Sequence, residues 1–229
     1  MTAVSADDAW AVGETNTAKG TDHKTLILHR TANRWYVVPA EAPASSVLYG
    51  SAVAGGDSAW ADGESASKGG IGGLVMRWNG AVWKPVANPL QGLNNAFYAI
   101  AASPGGDAWA VGADYNPSLT IRAATSMLWN GKTWRKVPVG PLPTRSILTG
   151  AAVIPGGTAW AVGYDGTGEG VRVLILRWTG HGWAQVANPE HGTLSNLIGV
   201  TATSPDNAWA VGAEQGQTLI LHWNGKTWS

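Results

Sequence analysis

The chain has no cysteine, a single phenylalanine and few charges. Without thiols there are no disulfides, no thiolate metal sites and no cysteine nucleophile. Asp, Glu, Lys and Arg make up 13% of the 229 residues, about half the ~25% of an ordinary soluble domain. Fifteen basic residues balance fifteen acidic ones, and no basic run occurs, which argues against nucleic acid or an anionic membrane as partner. No apolar run approaches the ~18 residues of a membrane-spanning helix, and the opening MTAVSADDAW lacks the regions of a signal peptide. What is abundant is Gly, at 31, and Trp, at 14. A chain with this much apolar surface can offset its ordering entropy, so disorder is excluded.

The Trp residues are periodic. Ala-Trp-Ala-Val-Gly recurs around Trp10, Trp109, Trp160 and Trp209, and as Ala-Trp-Ala-Asp-Gly around Trp60, at spacings of 50, 49, 51 and 49 residues. A second motif follows each copy: LVMRWNGAVW at 74–83, TSMLWNGKTW at 125–134, LILRWTGHGW at 174–183 and LILHWNGKTW at 219–228. The first copy, LILHRTANRW at 26–35, carries Arg30 in place of Trp. Every Trp is thus a repeat position.

Each unit reads as four short strands. The first follows Leu-x-Gly (Leu48, Leu148 and Leu197, with Phe97 as a variant), and the second is the Trp-Ala-Val-Gly segment. The third ends at Trp-Asn-Gly, and the fourth starts at the last Trp. Asn-Gly predicts a tight hairpin with both central residues at positive φ. The remaining Gly read as turn residues. Four strands per ~50 residues is the signature of a propeller blade. The expected fold is all-β, a five-bladed β-propeller in one domain over 1–229, with blades near 1–38, 48–87, 97–138, 148–187 and 197–229. The count of units predicts a ring closed at five, each blade owning four strands. Both termini fall within a unit, which suggests a segment of a longer protein.

These residues carry a resemblance. SPDNAWAVG followed by LILHWNGKTWS resembles the Trp-rich repeats of bacterial, often secreted or surface-attached, β-propeller proteins near the sialidase-like Asp-box group. Asn224-Gly225-Lys226-Thr227-Trp228 keeps the Gly-x-Thr-Trp ending of that box with Asn for Asp. The resemblance implies the propeller fold and an extracellular or cell-surface location. It carries over no sialidase catalytic residue.

In such a blade the two-to-three and four-to-one loops share one face, and only these vary in length, so binding is expected there. An acid stands one or two positions after the strand-two Gly in every unit: Glu14, Glu64, Asp114, Asp165 and Glu214. Read functionally, they form a ring of carboxylates for sugar hydroxyls or a hard cation. The plainer reading is a solvated acid opening a hairpin loop. Asn88 and Asn188, with His191, Tyr49, Tyr98 and Tyr164, suit carbohydrate stacking and hydrogen bonding, or else Asn-Pro turns and loop packing. Asp62 stands where other units carry Val, and reads either as a local adaptation paired with a residue such as Arg77 or as a site residue. The five His show no metal spacing, and neither a metal nor a cofactor is called for.

The sequence reading is a non-enzymatic, monomeric binding module for glycans or surface polymers, its repeated crevices gaining avidity. One alternative is a glycoside hydrolase or lyase with a carboxylate pair drawn from Glu14, Glu64, Asp62 and Asp165. In that case breaks in the repeat, such as the polar Thr125-Ser126, would matter most. The other alternative is a protein-interaction module of a larger surface protein.

Overall fold

The computed structural model describes residues 1–16, 23–55, 58–67, 69–91, 94–167, 170–189 and 192–229. Nineteen strands form five antiparallel sheets. The first contains β1 (Thr2–Ser5), β2 (Asp8–Asn16), β3 (His23–Thr31) and β4 (Arg34–Val37). The second contains β5 (Ser46–Val53), β6 (Ala59–Ser67), β7 (Gly70–Trp78) and β8 (Trp83–Pro85). The third contains β9 (Asn95–Ala102), β10 (Ala108–Tyr115), β11 (Ile121–Trp129) and β12 (Trp134–Lys136). The fourth contains β13 (Ile147–Val153), β14 (Ala159–Thr167), β15 (Gly170–Trp178) and β16 (Trp183–Gln185). The fifth contains β17 (Ser195–Ser204), β18 (Asn207–Glu214) and β19 (Gln217–Trp223). Its fourth strand is reduced to a bridge between Trp223 and Trp228, closed by backbone bonds between His222 and Ser229. The first strands of all five sheets line one axial cavity. No helix is long and apolar enough to cross a membrane among the described residues.

Successive sheets pack front to back through indoles. Trp10 lies 5.1 and 5.2 Å from Trp78 and Trp83 of the next sheet. Trp60 lies 5.0 and 5.3 Å from Trp129 and Trp134, and Trp109 4.8 and 4.7 Å from Trp178 and Trp183. Trp160 is 5.2 Å from both Trp223 and Trp228. Most of these contacts are edge-on, the arrangement that the aromatic quadrupole favours. The fifth sheet has no such successor. Trp209, Val211 and Ile220 are 44%, 42% and 56% exposed, and Trp35 of the first sheet is 43% exposed. Among the described residues, the closure between the fifth and first sheets that the count of repeats predicts is not seen.

The strand-two Gly is not a turn residue. In four sheets the first strand slips register beside it, skipping Tyr49, Tyr98, Thr149 and Ile198. The bulge presses a carbonyl onto the Gly, so a Cβ at Gly63, Gly112, Gly163 or Gly212 would meet a backbone oxygen at 1.9 to 2.0 Å. Gly13 has nothing within 4 Å, because β1 pairs only as far as Trp10. The Asn-Gly turns also differ from expectation. Only the Gly is at positive φ, while the Asn side chain accepts two amides, as Asn79 Oδ1 does from Ala81 and Val82. Among the described turns between third and fourth strands, both centres have positive φ in the first sheet alone, at Ala32 and Asn33.

We expect Gly163→Ala to destabilise the protein by ~3 kcal/mol or more in denaturant unfolding, since backbone itself blocks the new methyl. Gly13→Ala is expected to be neutral or slightly stabilising.

Candidate functional site

The five acids lie within strands rather than in loops, so the period of two decides where each points. Glu14 and Glu64 stand one residue after the Gly; Asp114, Asp165 and Glu214 stand two after it. The two sets face opposite sides of their sheets, and no ring of five carboxylates forms.

Glu14 and Glu64 belong to the axial mouth. Glu14 pairs with His23. Glu64 hydrogen-bonds Tyr49, and burial with the nearby Glu14 raises its pKa. The Tyr49 and Tyr98 rings lie 5.5 Å apart, the Tyr98 hydroxyl meets that of Tyr115, and Tyr164 acts electrostatically on Tyr98. Burial first, then the carboxylate and phenol neighbours, holds the Tyr49 and Tyr115 hydroxyls well above their usual range.

Asp165 and Asp114 line clefts between loops. Asp165 is buried at the wall of a 460 Å³ cleft with Arg172, Gln185, Asn188, Gly192 and Thr193. It lies directly across the hairpin from Arg172. Burial raises the Asp165 pKa, and the guanidinium partly offsets this. Asp114 lines a 600 Å³ cleft with Asn94, Tyr115, Arg122 and Lys136, whose Nζ lies 2.9 Å from its carboxylate. Glu214 accepts the Gly192 amide at 2.9 Å. His191 lies outside the described residues. Asn88 and Asn95 are scaffold. Asn88 donates to the Gly73 carbonyl and accepts from the Leu90 amide, and Asn95 accepts from Gly73 and donates to Leu90. Sequence reasoning missed His23, Arg122, Arg172, Lys136 and Gln185. For Arg172 the signal was a basic residue entering the third strand opposite an acid leaving the second; Arg122 is skipped in the register beside Asp114, and Lys136 and Gln185 lie on fourth strands.

A further cleft, of 620 Å³, sits at the opposite, turn-bearing end, beside Arg77, Trp78 and Lys84. Arg77 does not pair with Asp62. Its guanidinium lies over Trp60 and Trp129, 5.0 and 5.8 Å from the ring centroids, because it registers with Trp60 while Asp62 registers with Val75. Asp62 is fully buried and neither oxygen has a hydrogen-bond partner; the Gly50 and Asp62 amides favour its charge without reaching bonding geometry. Only a Gly fits beside it, since a Cβ at Gly50 would lie 2.3 Å from Oδ1. Thr125, another break in the repeat, is likewise buried with an unpartnered hydroxyl. Ser126 has a structural role: it donates to the Val137 carbonyl and accepts the Trp183 indole N–H at 3.0 Å, joining two sheets.

Burial pushes the Asp62 carboxyl up to about 7 from 3.8. The folded state therefore holds a proton that the unfolded chain releases near pH 4. The stability this confers is complete below pH 4 and is lost as pH rises through 7, by a few kcal/mol as an order of magnitude. Urea midpoints measured from pH 4 to 8 should fall across that window, and Asp62→Val should flatten the fall and be the more stable form at pH 8.

No protein-family model and no curated protein matches the chain. Among solved structures, one described as YCF48 bound to D1 peptide matches with a TM-score of 0.53 at 18% identity, covering 92% of this chain. The chain spans 63% of the length of that neighbour. With the repeated Trp-bearing sheets, the likeness makes this a β-propeller repeat protein, its five sheets consistent with five blades.

Proposed function

We propose that the protein is a non-enzymatic binding module that recognises carbohydrate hydroxyls in the clefts of its third and fourth sheets. The observation that carries this is that an acid, an arginine and an amide line each of them: Asp114, Arg122 and Asn94 in one, Asp165, Arg172 and Asn188 in the other. Carboxylate acceptors beside guanidinium and amide donors match vicinal hydroxyls, which need both. The volumes lie in the range of small-molecule sites. Two like clefts on one rigid scaffold would let weak sites act together.

The chemistry of the carboxylates favours binding over hydrolysis. Of those considered as an acid–base pair, Asp62 has no access to solvent, Asp165 faces a cleft of its own, and Glu14 is held by His23. A second reading, peptide recognition, has in its favour the peptide named in the structure of the neighbour.

Calorimetric titration with glycans chosen from an array is expected to give a bound sugar whose affinity falls about tenfold or more in Asp165→Asn and Arg172→Ala. Silence across plant, microbial and animal glycans would reject the reading.

A further inference from the structure

Among the described residues, the fifth and first sheets each leave bare one half of an interface that the chain makes four times. In the fourth sheet Trp160, Val162 and Ile175 share one face, are fully buried and pack against Leu219, Leu221, Trp223 and Trp228 of the fifth. On the fifth sheet Trp209, Val211 and Ile220 repeat the same three residue types in the same register, and all three are exposed. The receiving half stands on the first sheet. There Leu26, Leu28 and Trp35 hold the places of Leu219, Leu221 and Trp228, and Arg30 holds that of Trp223. Leu26 and Leu28 are only partly buried, while Trp35 and Val37, the residue opposite Leu28, are exposed.

Contiguous exposed Trp, Val and Ile mark an interaction surface. What covers this set elsewhere in the molecule is a row of Leu, Leu and two indoles, and the first sheet keeps three of those four residues. The fourth, Arg30, is compatible with the place, because a guanidinium stacks on an indole face. The formed interfaces already use that contact: Arg77 lies over Trp60 and Trp129, and Arg177 over Trp160 and Trp223. Arg30 itself is engaged at the surface, by Asp7 at 3.5 Å and by Asn33 at 2.7 Å. Two faces that match each other and do not meet within one molecule are met between two.

We propose that the protein binds a second copy of itself head to tail, the Trp209, Val211 and Ile220 face of one fifth sheet packing on the Leu26, Leu28, Arg30 and Trp35 face of the other copy's first sheet. Such a contact is heterologous, joining two different surfaces. It obeys mass action, so both faces stay bare in dilute solution. None of these residues lines the carbohydrate clefts, so the proposal is independent of them.

Sedimentation velocity of the whole chain, from about 1 to about 500 μM, is the test. The chain should pass from single copies to larger species across that range. Trp209→Glu on one face and Trp35→Glu on the other should each weaken association about tenfold or more. Both positions are exposed, and Ile220→Glu replaces the first variant should it fold poorly. Mixing the two variants distinguishes a head-to-tail contact from a symmetric one. Each keeps the face that the other has lost, so the mixture should regain a two-copy species that neither forms alone. A chain that stays single at every concentration would assign the two faces to other occupants and overturn the proposal. Association that ignores both substitutions, or that persists in either variant by itself at the strength of the unaltered chain, would overturn it as well.

Discussion

One contact organises the molecule: the strand-two indole of each of the first four sheets set between the two indoles of the sheet that follows. A buried Trp removes ~150–250 Å² from water, which at ~25 cal/mol per Å² is worth roughly 4–6 kcal/mol before entropy is counted. Four copies of this contact join five sheets. The first strands are drawn toward one axis as a result. Their bulges exist because the strand-two Gly admits a carbonyl where any side chain would collide. The same bulges set Tyr49 and Tyr98 at the mouth, so the chemistry at the axis follows from the packing of the sheets.

Departures from the repeat fall into two kinds. Ser126 replaces an aliphatic residue and is fully used, since it ties the Val137 carbonyl just after β12 to the indole of the next sheet. Asp62 and Thr125 are different, because both are buried and neither polar group is satisfied. Below pH 7 the Asp62 carboxyl stays neutral, which avoids desolvating a charge. It makes that part of the core sensitive to pH without placing an acid where a ligand could reach it.

Much of this was legible in the sequence. A fold that repeats states its interfaces five times, so the Trp positions, the strand order and the all-β class could be read from spacing alone. The candidate site was only partly legible. Glu64 and Asp114 differ by one place relative to the Gly, and one place in a strand reverses the face. Arg122 and Arg172 enter their strands after loops of unequal length, which hides their common relation to an acid. That Arg77 would not partner Asp62 could not be inferred, because Arg77 has an indole pair to cover and the strand register holds it there. Closure of the ring was beyond a count of repeats. It depends on whether Arg30 and Trp35 can receive Trp209 as two indoles receive its counterparts.

Equilibrium unfolding of the five strand-two Trp→Ala variants tests the central claim most directly. Trp10, Trp60, Trp109 and Trp160 are each buried between two sheets and should cost ~3–5 kcal/mol on truncation. Trp209, stacked only on His222 at 4.2 Å and facing no further sheet, should cost about 1 kcal/mol. A Trp209→Ala loss as large as the other four would contradict the account, because it would mean that the fifth sheet is packed against the first in solution.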